Sequence, residues 1–253
     1  GGCHDVTVVG NRAYLANLSG GFQILDVSNP ASPVVIGSKN YTNSFTHNIW
    51  PSGDGRYVAT TDETCGTGRL RIWDVSVPSN IVQVSEYVPQ DLGNTCVHNA
   101  MWVDNYIYMS HYTKGLRIVN VTNPAEPVEV GHFHTFNGTP RELATSPNDT
   151  GAQRPNSPMH DDDEVGGACF EGAWGVYAER VGPTSTRVYI SDISSGLWAF
   201  QLDTAPNLGT DGVAVYSSAT GTFFLRDRNE PGAADNAFTF GGGGAVVPLS
   251  GDW

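Results

Sequence analysis

Short runs of alternating apolar and polar residues, each ended by Gly, Asn, Asp or Pro, fill most of this chain. Turns at Asp104-Asn105, Thr113-Lys114-Gly115 and Asn123-Pro124 separate one set of such runs, at residues 98–104, 106–111, 115–121 and 128–133. A period of two in β-branched and aromatic residues is typical of strands. We therefore predict that this stretch folds as four successive antiparallel strands.

The same pattern recurs along the chain. Residues 21–30 and 115–124 share an apolar run that ends in Asp/Asn-Val-Ser/Thr-Asn-Pro, and residues 70–78 and 196–200 are looser copies. A repeat of about 40 to 50 residues is the spacing of propeller blades and not of helical solenoids. The sequence predicts an all-β β-propeller of four-stranded antiparallel blades, at about residues 1–44, 45–94, 95–136 and 168–204.

Two segments depart from this period. Residues 137–167 are rich in Pro, Asn, Asp and Gly, and we interpret them as a loop inserted between blades. Four further short runs, at 211–216, 221–226, 237–240 and 246–253, predict a divergent C-terminal unit. The expected domains are thus a region of propeller blades at 1–204 and the divergent β unit at 205–253.

The charge limits the partners. The 253 residues carry a formal charge of −13, which disfavours binding to nucleic acid and to anionic membrane surfaces. The chain contains no run of about 18 apolar residues, so the sequence predicts no membrane span. The chain opens on Gly1-Gly2-Cys3, inside a predicted strand and without a signal peptide, which we interpret as a mature or trimmed form.

Four cysteines, without any C-x-x-C pair, favour disulfides and an oxidising compartment over a zinc ribbon. We predict at least one disulfide. Of the three complete pairings, the preferred one joins Cys65 to Cys96 and Cys3 to Cys169, because each bond would link neighbouring or ring-closing repeats.

Three histidines hold the same place in three successive blades. His4, His47 and His98 each open a first strand. Each is followed by an acid or an amide, namely Asp5, Asn48 and Asn99. Because the first strand of every blade lines the central channel, equivalent residues converge on one axis. We predict that the three imidazoles face one another.

Such a cluster suits zinc or another divalent transition metal. Water or Glu171, near the equivalent place in the fourth blade, would fill the fourth position. Asp62 and Glu63 end a second strand that reaches the same rim, and their oxygen atoms would shift the preference towards calcium. Behind the ligands, a second set of residues would orient the rings: Asp5, Asn48 and Asn99. Two alternatives stay open, a set of hydrogen-bonding pegs between blades and a catalytic histidine.

The order of motifs in residues 3–204 resembles the LVIVD-repeat, choice-of-anchor B group of secreted bacterial propellers. The resemblance rests on His47-Asn48-Ile49-Trp50, on residues 112–118 and on Gly172-Ala173-Trp174, among others. It implies a secreted or cell-surface location and a ring that either has further blades or closes with fewer. Residues 209–253 resemble an extracellular tandem repeat with a Gly-Asp-Trp motif, whose acidic calcium loop is missing here.

Two classes of function fit these features. The first is an extracellular binding or structural module that contacts a protein or a polysaccharide, or assembles as a homo-oligomer or surface array. The second is a secreted, metal-assisted polysaccharide lyase or hydrolase with a channel histidine as base. Candidate ligand-binding residues are Tyr112 and Arg117, which would flank the channel mouth, and Trp174.

Overall fold

A computed structural model describes residues 2–90, 92–136 and 169–203, together with four strands between residues 213 and 249. The described residues form strands and turns and contain no helix, as predicted. The chain divides into two compact units. Unit 1 comprises Gly1–Glu179 and Val188–Ala199, and unit 2 comprises Arg180–Arg187 and Phe200–Trp253. The predicted boundary near residue 204 stays a prediction.

Three four-stranded antiparallel sheets follow one another in unit 1, each with its strands in chain order. The first contains β1 (Asp5–Val9), β2 (Arg12–Ala16), β3 (Phe22–Asp26) and β4 (Val34–Lys39). The second contains β5 (Thr46–Pro51), β6 (Tyr57–Asp62), β7 (Leu70–Asp74) and β8 (Val82–Tyr87). The third contains β9 (Asn99–Val103), β10 (Tyr106–Ser110), β11 (Leu116–Asn120) and β12 (Val128–Phe133). These are the predicted blades, and in the third, for which individual strands were predicted, the strand bounds lie within about one residue of those expected.

Two more sheets complete the described fold. The first has three strands and not the predicted four: β13 (Ala173–Arg180), β14 (Ser185–Asp192) and β15 (Gly196–Asp203). In unit 2, a four-stranded sheet has the order β18-β17-β16-β19. Its strands are β16 (Val213–Ser217), β17 (Thr222–Arg226), β18 (Asn236–Thr239) and β19 (Val246–Leu249). The predicted insertion at 137–167 and the Gly-Asp-Trp motif at 251–253 lie outside the described residues.

A turn explains the repeated Asp/Asn-x-Ser/Thr motif at the end of each third strand. The side chain of Asp26 accepts a hydrogen bond from the backbone N–H of Ser28 at 2.8 Å. Asp74 does the same for Ser76 at 2.9 Å, and so does Asn120 for Thr122 at 2.9 Å. This Asx turn ends one strand and redirects the chain towards the next. Each third strand also has a register shift to its outer neighbour at the same position, next to Ile24, Ile72 and Ile118.

Alternating side chains build the core between the sheets. In the second blade, Ile49, Val58 and Trp73 face the first blade, where they pack with Phe22 and Ile24. The residues between them face the third blade: Ala59, Leu70 and Ile72 pack with Trp102, Ile107 and Met109. Both faces of the second sheet are therefore buried, which holds the first strands β1, β5 and β9 side by side.

The cysteines correct one prediction and confirm another. A disulfide is present, as expected, but it joins Cys65 to Cys169, with a Cα–Cα distance of 5.9 Å. The preferred pairing of Cys65 with Cys96 and of Cys3 with Cys169 is wrong. Cys3 is an exposed thiol, and Cys96 is a buried thiol. The error has a simple cause, since three loops, not two, bring their cysteines to one place.

Candidate metal centre

The three histidines of the repeated motif lie in a row, as their shared register predicts. His47 is in β5, while His4 and His98 immediately precede β1 and β9. The ring centroids of His4 and His47 are 4.1 Å apart, and those of His47 and His98 are also 4.1 Å apart. His47 and His98 are buried, at 5% and 6% exposure, whereas His4 is exposed. The row thus runs from the surface into the protein.

A backbone carbonyl oxygen of the next blade orients the ring at each end of this row. His4 Nδ1 lies 3.1 Å from the carbonyl oxygen of His47, and His98 Nδ1 lies 2.6 Å from the carbonyl oxygen of Trp174. A carbonyl oxygen only accepts, so Nδ1 must carry the hydrogen in both rings. In the neutral imidazole the lone pair is then on Nε2, which is the atom left for a metal.

Trp174 occupies the histidine position in the fourth sheet. A backbone bridge joins Tyr112 to Ala173, just as one joins Leu18 to Thr46 in front of His47, so Trp174 and His47 share a register. The indole Nε1–H of Trp174 donates a hydrogen bond to His98 Nε2. Trp174 is 52% exposed and is therefore not part of the buried core.

Glu63 brings a carboxylate to the two buried rings. It directly follows β6, and its backbone N–H bonds to the carbonyl oxygen of Phe45 at 3.1 Å. Its Oε2 lies 3.4 Å from His47 Nε2, and its Oε1 lies 3.7 Å from His98 Nε2. The hydroxyl of buried Tyr112 donates a hydrogen bond to Oε1. His47, Glu63 and His98 each offer one donor atom, and these atoms lie within 4.8 Å of one another.

Burial sets the protonation states in this cluster. Desolvation, followed by the neighbouring His4, lowers the pKa of His47 to about 4. Desolvation, followed by His47, lowers the pKa of His98 to about 2. Desolvation raises the pKa of Glu63, against the opposing effects of the Tyr112 hydrogen bond and of His4. Each group is thus pushed towards its neutral form, because a lone charge in this site is poorly solvated.

Of the residues predicted to orient the rings, Asp5 and Asn48 join neighbouring blades. Asn48 Nδ2 donates to Asp5 Oδ2 at 2.8 Å, and Asn48 Oδ1 accepts from the backbone N–H of Ala100 at 3.0 Å. Asn48 therefore bridges three blades. No hydrogen bond of ordinary geometry reaches His47 Nδ1 or Asn99 Oδ1, both buried, from the described residues. The side chain of Asn99 and the backbone of His98 nevertheless favour the charged form of His47.

Three other predicted residues lie elsewhere. Glu171 accepts a hydrogen bond from the Ser194 hydroxyl at 2.7 Å and is not part of the cluster. Arg117 is buried and forms an ion pair with Glu129 at 3.2 Å. Asp62, the neighbour of Glu63, forms an ion pair with Arg71 at 2.7 Å.

The remaining histidine signals are separate from this site. His132 and His134 are exposed at β12, where His132 Nδ1 lies 2.9 Å from the Glu129 carboxylate. His160 and the acidic run after it lie outside the described residues. None of the described residues belongs to a helix long and apolar enough to cross a membrane.

The contacts of Tyr112 with Glu63 and of Trp174 with His98 were not foreseen. Both residues were singled out in the sequence only as ligand-binding candidates. Comparison of Ala173-Trp174 with Thr46-His47 could have revealed the position of Trp174, because both pairs begin a first strand. No feature of the sequence indicated that a third cysteine lies beside the disulfide.

Successive antiparallel sheets with their first strands side by side define this chain as a β-propeller-type repeat protein. Residues 1–41 and 101–135 match the family model of the LVIVD repeat. The chain therefore carries LVIVD repeats in these two regions. The finer resemblances, to the choice-of-anchor B group and to a Gly-Asp-Trp extracellular repeat, stay predictions.

Solved structures similar to the chain include propellers by title. The WD40 β-propeller domain of Doa1 aligns with 94% of this chain and 68% of its own, at 10% identity and a TM-score of 0.48. The Cps50 (Swd1) propeller domain of Myceliophteria thermophila aligns with 88% and 64%, at 11% identity and a TM-score of 0.47. The periplasmic gluconolactonase PpgL of Pseudomonas aeruginosa aligns with 87% and 63%, at 11% identity and a TM-score of 0.45.

The chain spans 55% of the designed Ika8 protein, to which it is also similar at 9% identity and a TM-score of 0.45. No curated protein sequence matches the chain. Identities this low carry no information on activity.

Proposed function

We propose that this protein is an extracellular propeller module that holds a divalent transition metal between His47, Glu63 and His98. One observation carries the proposal. The buried Glu63 carboxylate lies 3.4 Å and 3.7 Å from the Nε2 atoms of two imidazoles that burial keeps neutral. A cation bound among these three donors would compensate the desolvated carboxylate, which neutral rings cannot do.

The donor set favours zinc over calcium. Two imidazole nitrogens and one carboxylate oxygen are a common zinc set, in which a fourth position is left for water or another ligand. Calcium needs six to eight oxygen ligands, and the cluster offers only the Glu63 carboxylate. The exposed His4, whose ring centroid lies 4.1 Å from that of His47, is next to this set and is the nearest further imidazole of the row.

The protonation states support the same assignment. A metal binds imidazole only in its neutral form, so protons compete with the metal below the pKa of the ring. Because the pKa of His47 is lowered to about 4 and that of His98 to about 2, both rings are ready for a metal at neutral pH.

Burial favours a binding or structural module over an enzyme. Tyr112 and Arg117, which were expected to flank an open channel mouth, are 3% and 2% exposed, and His47 and His98 are buried as well. A polysaccharide chain needs an open cleft to reach a catalytic base. Of the three candidate ligand-binding residues, Trp174, at 52% exposure beside His98, is the one that a protein or carbohydrate partner could contact.

The extracellular location rests on two supports. A disulfide joins Cys65 to Cys169, and disulfides persist in oxidising compartments. Residues 1–41 and 101–135 carry LVIVD repeats, which the sequence resemblance links to secreted proteins.

Metal analysis tests the proposal directly. The protein is stripped with a chelator and dialysed against zinc, and zinc content and affinity are measured by elemental analysis and calorimetry. We expect about one zinc per chain at this site. The changes His98→Gln and Glu63→Gln should each lower the affinity by more than the roughly 10–100-fold that loss of an outer-shell partner costs. Equal zinc binding by these variants and the unaltered protein would refute the assignment.

Two further variants sharpen this test. His132→Gln removes an exposed imidazole at β12 and is the matched control, which should leave the zinc affinity unchanged. Trp174→Phe removes the indole N–H that occupies His98 Nε2. Because a metal must displace this hydrogen bond, worth roughly 0.5–1.5 kcal/mol, its loss should raise the affinity by about two- to tenfold.

A further inference from the structure

Three sulfur atoms meet beside the proposed metal site but are not part of it. Cys65, in the loop after β6, forms the disulfide with Cys169. Cys96, which precedes β9, has its Sγ 4.0 Å from Cys169 Sγ. All three sulfur atoms lie within 4.8 Å of one another. A thiol and a disulfide are therefore in van der Waals contact.

Backbone contacts hold the three loops together at this point. The N–H of Gly66 bonds to the carbonyl oxygen of Thr95 at 3.0 Å, and the Thr95 hydroxyl bonds to the carbonyl oxygen of Cys169 at 3.3 Å. The loop is close-packed, since a Cβ on Gly68 would lie 2.2 Å from the Asp62 carbonyl oxygen and 2.7 Å from Cys96 Cβ. The sulfur atoms are thus held near one another by neighbours that have little room to move.

We propose that Cys96 exchanges with the disulfide, so that the bond alternates between Cys65–Cys169 and Cys96–Cys169. In the exchange, the Cys96 thiolate attacks Cys169 Sγ, the S–S bond between Cys169 and Cys65 breaks, and Cys65 leaves as a thiolate. The proton given up by Cys96 is taken up by Cys65. One disulfide and one thiol are present before and after, so no external oxidant or reductant is consumed.

The exchange moves a thiol from a closed to an open position. Cys96 is completely buried, at 0% exposure, whereas Cys65 is partly exposed. A reagent that cannot reach Cys96 can reach Cys65. The structure therefore assigns Cys65 as a latent modification site for small thiol-reactive molecules, such as low-molecular-weight disulfides and alkylating agents. This inference is independent of any metal at His47, Glu63 and His98.

Trapping of thiols in the folded protein tests the exchange. The starting variant is Cys3→Ser, because Cys3 is an exposed thiol that would react first. The folded protein is incubated with N-ethylmaleimide at about pH 8, where thiolates form, and samples are quenched in acid over several hours. Peptide mapping without reduction then reports which cysteine is labelled and which two are joined.

We expect the label on Cys65 and, in the same molecules, a Cys96–Cys169 disulfide whose amount grows with time. The control is Cys3→Ser with Cys96→Ser, which has no attacking thiol and should stay unlabelled with an intact Cys65–Cys169 bond. Label on Cys96 together with Cys65–Cys169, or no label at all in the starting variant, would overturn the proposal.

A second variant does not depend on the rate of exchange. Cys3→Ser with Cys65→Ser leaves Cys96 and Cys169 as the two remaining cysteines. Oxidised with a small disulfide, this variant should form the Cys96–Cys169 bond within one chain. The starting variant, Cys3→Ser, is reduced and reoxidised under the same conditions and should regain the Cys65–Cys169 bond. If the double variant keeps both thiols under these conditions, the alternative bond does not form and the proposal is wrong.

Discussion

Burial gives different chemical properties to three histidines that share one register. His4 is exposed, while His47 and His98 are buried between blades and lose the solvation of their charged forms. The pKa of His47 is lowered to about 4 and that of His98 to about 2, and for both the first cause is desolvation. A repeated motif thus yields side chains of different chemistry, because the depth of each position differs.

This difference predicts how the stability of the metal-free protein depends on pH. In the unfolded chain both imidazoles take up a proton near pH 6.5, whereas in the folded protein they resist protonation down to about pH 4 or below. The unfolded state therefore binds more protons as the pH falls through this window. We expect the free energy of unfolding to be highest above about pH 7 and to fall below it, by up to about 2 kcal/mol per imidazole at pH 5.

Chemical denaturation in a chelating buffer between pH 4 and pH 8 checks this prediction. Glu63 acts in the opposite direction, since its raised pKa makes the folded protein bind the extra proton, and His4 and Asp5 are the other titratable neighbours of His47. The variant His98→Gln should show a flatter profile than the unaltered protein. A stability that rises as the pH is lowered from 7 to 5 would contradict the predicted burial of neutral rings.

At the residue scale, the sequence was sufficient to predict which residues are neighbours where their position in the repeat alone determines this. The row of His4, His47 and His98 was predicted because equivalent residues of successive first strands must be neighbours. Glu171 was expected near the histidines, whereas its side chain accepts a hydrogen bond from Ser194 at 2.7 Å, outside the cluster. The direction and partner of a side chain depend on the packing around it, which a repeat pattern does not encode.

At the element scale, a hydroxyl on the second strand of the second and third blades, β6 and β10, links each of these blades to the next. Thr61 Oγ1 accepts from the backbone N–H of Asn48 at 3.2 Å and donates to the carbonyl oxygen of His98 at 2.7 Å. Ser110 repeats both bonds, with the N–H of Asn99 at 3.2 Å and the carbonyl oxygen of Trp174 at 2.6 Å. These hydroxyls satisfy backbone groups that are buried between the first strands.

The change Thr61→Val tests the strength of this link. Valine keeps the shape of the side chain but leaves the buried N–H of Asn48 and carbonyl of His98 without their partner, which should cost about 1–3 kcal/mol of stability. The matched control is Thr122→Val, at an exposed turn position, where we expect a change within about 0.5 kcal/mol. Denaturant unfolding of both variants provides the measurement, and equal stabilities would show that the hydroxyl link is energetically unimportant.

The strands themselves were predictable because alternation and turn residues act locally. The Asx turns after β3, β7 and β11 and the two-residue turn at Asp104-Asn105, where Asp104 has a φ of 50°, are both visible in the sequence. The disulfide was not predictable in the same way. Which loops meet at one end of the blades depends on the path of the loops at Cys65, Cys96 and Cys169, and spacing alone left three pairings open.

On the scale of the whole molecule, the disulfide restrains a large part of the chain. Cys65 and Cys169 are 104 residues apart, so their bond closes a long loop in the unfolded state. In the chain-entropy model a loop of about this length stabilises the folded state by about 4–5 kcal/mol. A bond between Cys96 and Cys169, 73 residues apart, would close a loop nearly as long. Because loop entropy varies with the logarithm of length, the two bonds differ by only a few tenths of a kcal/mol.

This near equality predicts different outcomes for two serine substitutions that remove the same disulfide. Cys169→Ser removes the sulfur that both bonds share, so it should lose about 4 kcal/mol of stability. Cys65→Ser leaves Cys96 and Cys169, and after oxidation it should regain most of that loss through the second bond. Denaturant unfolding, with and without reductant, distinguishes the two, since reductant should lower oxidised Cys65→Ser to the level of Cys169→Ser. If the oxidised variants are equally destabilised, the Cys96–Cys169 bond does not support the fold, because the two substitutions differ mainly in whether that bond can form.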